Sequence, residues 1–272
     1  MTVEANAPEE IPPRRPRRRR SRISVVGVLG ELLITAGVLV LLFLGWQLWL
    51  NDIIQGNIQT QDAETLTQEW AAAGPTTSPT TAPTTVPSAT PSNGPAGQTT
   101  KPVVGVAPGN ATKFAVLMVP RWGPHWQRTI AEGIGVTDVL NKIGLGHYPG
   151  TQMPGEVGNF AIASHRLAYG AGFKNLHKLE VGDHIYVETQ DGWYDYIYRS
   201  TEYVLPTGIG VIDPVPQLPN VSPKDRIITL TTCNPFYSTD ERLIAYGVYN
   251  TWYPRAGGPP AAIAAAVAAR NN

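Results

Sequence analysis

The sequence predicts one all-β domain, a barrel or a sandwich with short helices, carried behind a single N-terminal transmembrane helix. Three observations predict it. Short apolar or alternating runs separated by turn residues recur between about 112 and 255. The chain holds 27 Gly and 25 Pro in 272 residues, which weighs against a helical bundle because both break helix interiors. Residues 32–50 read LLITAGVLVLLFLGWQLWL, an uncharged stretch apolar on every side.

The elements follow in chain order. Residues 1–23 form an arginine-rich arm, in which seven arginines against three glutamates within the first 22 positions leave a charge of +4. The chain is neutral overall, with 21 basic and 21 acidic residues, so the remainder carries −4. Basic residues beyond the arm are scattered and outnumbered, which excludes nucleic acid as a partner. Residues 24–50 read as an uncleaved signal anchor. The apolar stretch exceeds a secretory h-region, no A-x-A site follows it, and as a helix it is roughly 28 Å long, matching a bilayer core. Glu31 falls at one headgroup boundary, and Trp46 and Trp49 in the aromatic belt at the other. The positive-inside rule puts the arm in the cytoplasm, makes the lipid bilayer a partner, and places everything after the span outside.

Residues 51–70 are a juxtamembrane segment, with Ile53, Ile54, Ile58, Leu66 and Trp70 among polar residues; a short helix and a tether both fit. Residues 71–111 are a Pro/Thr/Ala-rich linker in which Pro75, Pro79, Pro83, Pro87, Pro91 and Pro95 recur every fourth position. Such a composition buries no core and favours extended polyproline II, so the linker is expected to be a spacer of up to roughly 90 Å that holds the domain away from the bilayer. The domain itself spans 112–255. Its expected strands are 113–119, 159–164, 184–189, 194–204, 226–233 and 242–249, with a hairpin turn at Asp191-Gly192. Helical turns are expected at 137–143 and 173–179, and a long proline-rich loop at 205–224. Residues 256–272 form an Ala-rich tail, helical or frayed.

The chemistry centres on Cys233, the chain's one cysteine. An unpaired thiol in an extracytoplasmic domain is exposed to oxidation and mispairing, so it demands an account. RIITLTTC ends in Asn234-Pro235, which puts Cys233 at the end of a strand whose Ile227, Thr229, Thr231 and Cys233 share a face. The next run, RLIAYGVY, begins with Arg242; paired antiparallel, its start lies beside the cysteine, with strands about 4.8 Å apart. A cysteine nucleophile needs a partner to make and hold the thiolate. Of five histidines, His165 ends the apolar run NFAIASH and precedes a Gly-containing loop, so it too sits at a sheet rim. The remaining four have surface or packing roles as their default reading.

These residues carry a resemblance. Thr229-Leu-Thr-Thr-Cys233, an arginine nine residues on and a histidine 68 residues before resemble the sortase pattern. The segments GHYPGTQMPGEVGNFAIASHR and TLTTCNP, with the Pro/Thr/Ala-rich linker, are similar to class E sortases of high-GC Gram-positive bacteria. Ser164 departs from that pattern, which usually has Gly before the histidine. The resemblance implies a closed β-barrel and a transpeptidase that cuts a Leu-Ala-x-Thr-Gly-like sorting signal between Thr and Gly. Its partners would be secreted proteins bearing that signal and a peptidoglycan precursor amine. Carried over, Cys233 is the nucleophile, His165 the general acid and then base, and Arg242 the group that orients substrate and stabilises the oxyanion. Thr232 is a weaker candidate for the oxyanion site, and Tyr148 and the 205–224 loop for substrate selection.

No metal or other cofactor is expected: the histidines lack ligand spacing and the acids are dispersed. With ordinary pKa values, about 3% of thiols and 24% of imidazoles are charged at pH 7, so under about 1% of molecules hold thiolate and imidazolium together unless the site shifts them. The alternative reading is a non-catalytic, membrane-tethered extracytoplasmic binding or wall-spacing protein, which has no reason to keep Cys233, His165 and Arg242 at strand rims.

Overall fold

The computed structural model describes residues 24–46, 50–74 and 101–270; the arginine-rich arm, Trp49 and most of the Pro/Thr/Ala-rich linker lie outside them. The first unit is helix α1 (Val25–Gly45), long and apolar enough to cross a membrane, with no residue buried. It starts upstream of the uncharged stretch and takes Glu31 inside the helix.

The second unit is a closed eight-stranded barrel in the order β1-β2-β3-β4-β7-β8-β6-β5. Its strands are β1 (Lys113–Met118), β2 (Gln127–Glu132), β3 (Leu145–His147), β4 (Gly158–Ser164), β5 (His184–Thr189), β6 (Gly192–Val204), β7 (Arg226–Asn234) and β8 (Glu241–Pro254). Closure abolishes the exposed sheet edges that an open sheet has to protect. Strands β2 and β3, and β4 and β7, pair parallel, and the other neighbours antiparallel. Alternation fills the interior: Phe160 and Ile162 of β4, Ile228 and Leu230 of β7, and Leu243 and Ala245 of β8 enter one buried cluster with Tyr194 and Tyr196. The odd-numbered residues of β4 and β7 and the even-numbered residues of β8 therefore share the opposite face. The 205–224 loop, with one helical turn at Ile209–Ile212, covers part of that face: Asn159 of β4 donates from Nδ2 to the carbonyls of Val211 and Asp213.

The juxtamembrane segment is helix α2 (Asn51–Ala73), docked on the barrel. Its buried stripe is Asp52, Gly56, Gln59, Ala63, Thr67 and Trp70, at helical spacing. Ala63 and Trp70 join Val116, Met118, Tyr186 and Trp193, while Lys113 pairs with Asp62 at 2.9 Å. Of the two readings that fit the juxtamembrane segment, a helix and a tether, the fold takes the helix. The Gly74 carbonyl accepts from Gln190, the Val103 carbonyl accepts from Tyr194, and both partners belong to the β5–β6 hairpin region. Residues 75–100, expected to act as a spacer, lie outside the described residues. The tail forms helix α3 (Ala261–Ala269), with Ile263 in the α2 cluster. Just beyond it, Arg270 meets Glu188 at 2.7 Å, and Arg255 meets the same carboxylate at 2.9 Å.

Candidate active site

Three adjacent strands position the site. In the parallel β4–β7 pair Ala163 lies opposite Thr231; two residues further on, the same register brings His165 level with Cys233. In the antiparallel β7–β8 pair Cys233 lies directly opposite Arg242. All three have the parity of the non-core face. His165 and Cys233 line one cavity of about 440 Å³, together with Arg166, Leu167, Pro235, Tyr237, Ser238 and Thr239. Arg242 lines a second cavity of about 230 Å³ with Tyr148, Thr231, Ile244 and the loop residues 204–212. The two cavities are lined from neighbouring strand ends, Cys233 of β7 in the first and Arg242 of β8 in the second.

The thiol of Cys233 is half-buried. His165 is half-buried as well, its Nε2 held by Asn141 Oδ1 at 2.8 Å and its ring beside that of Tyr169, with centroids 5.4 Å apart. Its Nδ1 makes no hydrogen bond among the described residues. Burial pushes the His165 pKa below the ordinary imidazole value, against an opposing pull from the carboxylate of Asp52 on α2. Arg242 donates from Nη1 to the carbonyls of Thr239 and Glu241, which leaves Nε and Nη2 without a partner among the described residues.

Two neighbours escaped the sequence reading. Arg166 is 7% exposed, donates to the Cys233 carbonyl at 3.3 Å and to Asn234, and stacks at 4.0 Å on Phe236. It ties the end of β4 to the end of β7. Its pKa is lowered by burial, partly offset by Tyr203 and Cys233. Its place directly after His165 was the available signal. Asn141, from the turn Val136–Leu140 and its cap, orients the imidazole, and nothing local in sequence links the two.

Tyr148 does reach the site face: its hydroxyl and that of Thr231 lie 2.9 Å apart. Thr232 does not. Its side chain has the opposite parity to Cys233, is 3% exposed and donates to the Ser164 carbonyl at 2.8 Å, so the hydroxyl fastens β7 to β4 and does not face the cavity. Ser164 in turn donates to the Gly144 carbonyl at 2.7 Å. A Cβ on Gly172 would stand 2.5 Å from the Ser164 hydroxyl, so the serine depends on that glycine. Past His165 the chain turns sharply: Ala168, Tyr169, Gly170 and Ala171 have φ of 64°, 50°, 86° and 45°. Each non-glycine residue held there costs about 1–2 kcal/mol, which something else in the fold must offset.

Comparison with known proteins settles the family. A sortase domain model matches residues 117–250. Over 233 residues the chain is 31% identical to sortase SrtE2 of Streptomyces coelicolor, covering 82% of this chain and 81% of that protein. The chain belongs to the sortase family. Members of that family are cysteine transpeptidases. Sortase SrtE1 of the same organism is 34% identical over 241 residues, or 86% of this chain; the match spans 60% of that longer protein. Among solved structures, the SrtA sortase from Actinomyces oris is 39% identical, with a TM-score of 0.58 over 61% of this chain and 94% of that one. Sortase E1 from Streptomyces coelicolor, with a tripeptide in the active site, is 38% identical, with a TM-score of 0.53 over 56% of this chain and 97% of that one. The sortase barrel is therefore the fold of this chain, and its apolar N-terminal helix is compatible with a single-pass membrane anchor.

Proposed function

We propose that this sortase is a membrane-anchored transpeptidase that cleaves a Leu-Ala-x-Thr-Gly-like sorting signal between Thr and Gly and transfers the protein to a peptidoglycan precursor amine. The observation that carries the reading is the alignment of His165, Cys233 and Arg242 on one face at the ends of three neighbouring strands, the first two lining one cavity and Arg242 the next. The tripeptide in the active site of the related sortase E1 supports a peptide substrate.

In the proposed reaction Cys233 Sγ attacks the threonine carbonyl carbon. The oxyanion that forms is met by the free donors of Arg242, a fixed cation near developing negative charge. The C–N bond to glycine breaks as the His165 imidazolium gives its proton to the leaving nitrogen, which leaves a thioester on Cys233. The acceptor amine then attacks the thioester carbon, its proton passes to His165, and the C–S bond breaks. That last step regenerates thiolate and imidazolium. Tyr148 and the apolar wall at Ile209, Val211, Ile212 and Ile244 form the second cavity, which would take the residues ahead of threonine. The arginine-rich arm supports a cytoplasmic N-terminus with the barrel outside.

The full chain in detergent micelles, incubated with a Leu-Ala-x-Thr-Gly peptide and an amine acceptor, is expected to show a thioester adduct by intact mass. No adduct in the wild type, or an adduct that survives Cys233→Ala, would sink the reading and favour a binding protein.

A further inference from the structure

The first turns of α2 pack against the segment that follows His165. Asp52 Oδ2 accepts from the Ala168 amide at 3.4 Å, a long bond, and Gln59 Nε2 donates to the Tyr169 carbonyl at 2.8 Å. Between them, a Cβ on Gly56 would lie 2.8 Å from Arg128 Nη2 and 3.7 Å from the Gly170 carbonyl, so the helix reaches this close only because position 56 has no side chain. Gln59 fills the space beside Gly144 and Gly170, where an added Cβ on either would meet it at 2.9 Å or less. The grip is therefore on the four consecutive residues with positive φ.

Stability does not explain these side chains. Asp52 is 7% exposed and Gln59 1%, and Asp52 Oδ1 and Gln59 Oε1 are buried without hydrogen-bond partners. Unpaired buried polar groups are costly, and apolar residues at both positions would extend the docking already made by Ala63 and Trp70. Polar groups kept at such a cost, aimed at one strained loop, point to that loop. What the loop carries is the ring of Tyr169 against His165.

We infer that the juxtamembrane helix is part of the catalytic apparatus, with Asp52 and Gln59 as positioning residues that hold, at the Ala168 amide and the Tyr169 carbonyl, the strained 168–171 loop whose Tyr169 ring lies against His165. The Asp52 carboxylate also pulls the imidazole toward its charged form, against the effect of burial. The charged and titratable groups around His165 are Asp52 from α2, Cys233 from β7, Arg166 at its own strand end and Tyr169 from the loop. Of these, Asp52 is the acid on a neighbouring element that pulls the imidazole toward its charged form. An active site of this sort is complete only with α2 seated.

The inference rests on the transpeptidase reading, so its test carries a separate readout. In the full chain in micelles, histidine-labelled protein is titrated by NMR, with His165→Ala to assign the resonance, and transpeptidation is measured in parallel. Asp52→Asn keeps the shape and removes the charge; it should move the His165 midpoint to lower pH. Gln59→Met keeps the volume and removes the bond to Tyr169; it should lower kcat about tenfold or more with KM unchanged, as misplacement of a reacting group does. Asp62→Asn removes a carboxylate of the same helix that pairs with Lys113 of β1 and makes no hydrogen bond to the 168–171 loop among the described residues, and should change neither. An unmoved midpoint together with wild-type kcat in both variants overturns the inference. So does a loss that follows only the melting temperature or that Asp62→Asn reproduces. If the wild type forms no thioester, the transpeptidase reading fails, while the titration still reports whether α2 acts on His165.

Discussion

His147 in β3 and His165 at the end of β4 lie on neighbouring strands, and each makes a hydrogen bond to an oxygen-bearing side chain, yet the barrel treats them in opposite ways. His147 is fully buried, with Nδ1 2.6 Å from Glu132 Oε2 and Nε2 facing Thr151 Oγ1 at 2.8 Å and the Gln152 carbonyl at 3.1 Å. Phe114 and Phe160 close over its ring. Both nitrogens are occupied and no substrate reaches them. His165 has one nitrogen held by Asn141, the other uncommitted, and its ring borders a cavity. A histidine's role follows from its unused hydrogen-bonding capacity and its access to the cavity, and the residue type alone decides nothing.

The sharpest way to break this contrast is to remove each ring in turn. His165→Ala should cost about 10²–10⁴ in kcat, the usual worth of a general acid–base group, and leave the melting temperature nearly unchanged. His147→Ala should do the reverse: Glu132 is left buried and unpaired, a loss of about 3–5 kcal/mol by thermal or denaturant unfolding, while the folded molecules keep their kcat. Equal kinetic losses in the two variants would erase the distinction.

A smaller effect is expected at the rim that presents His165. Gly172→Ala drives a methyl into the Ser164 hydroxyl and to 2.9 Å from Leu145 Cδ1, an overpacking cost of about 1–3 kcal/mol. Ser164→Gly in the same chain should recover most of it. A double variant no more stable than Gly172→Ala alone would show that Leu145, and not the serine, is the obstacle.

The smallest effect is on pH and stability. The folded His165 pKa lies below its unfolded value of about 6.5, so above that pH both states are neutral and the group contributes nothing. As pH falls from 6.5 through the folded pKa, the unfolded state binds more protons and stability is lost. Replacing His165 by Gln should therefore flatten the decline in melting temperature on the acid side of pH 6.5. An unchanged slope would mean that the imidazole titrates as it does in the unfolded chain.

The resolution of the sequence reading was set by where apolar residues fall. The β4, β7 and β8 runs are largely apolar or β-branched, with His165 and Cys233 at the ends of the first two and Arg242 at the start of the third, so these stood out as rim residues, and β5 was read to its last residue. Strand β2 was missed because Gln127, Arg128, Thr129 and Glu132 are all buried within it; polar side chains, of which Gln127 and Arg128 bond to α2 and Glu132 to His147, carry no hydrophobic period. Strand β3 is three residues long and leaves no period to detect. Helix α2 hid for the same reason as β2: its buried stripe holds Asp, Gly, Gln and Thr, with Ala63 and Trp70 as its apolar members. The residues beside His165 and Cys233, Asn141, Arg166 and Asp52, come from three separate elements and meet only through the folded barrel and the helix docked on it.

Gly74 and Val103 are both tied to the same hairpin region, so the chain between them is a ring closed at two points of one compact unit. Adding residues to that ring leaves the distance from Asn51 to Cys233 as it was. Halving or doubling its length changes the entropy of closure by only about 0.6 kcal/mol. Repeats of Pro and Thr can therefore be gained or lost here at almost no energetic consequence to the fold.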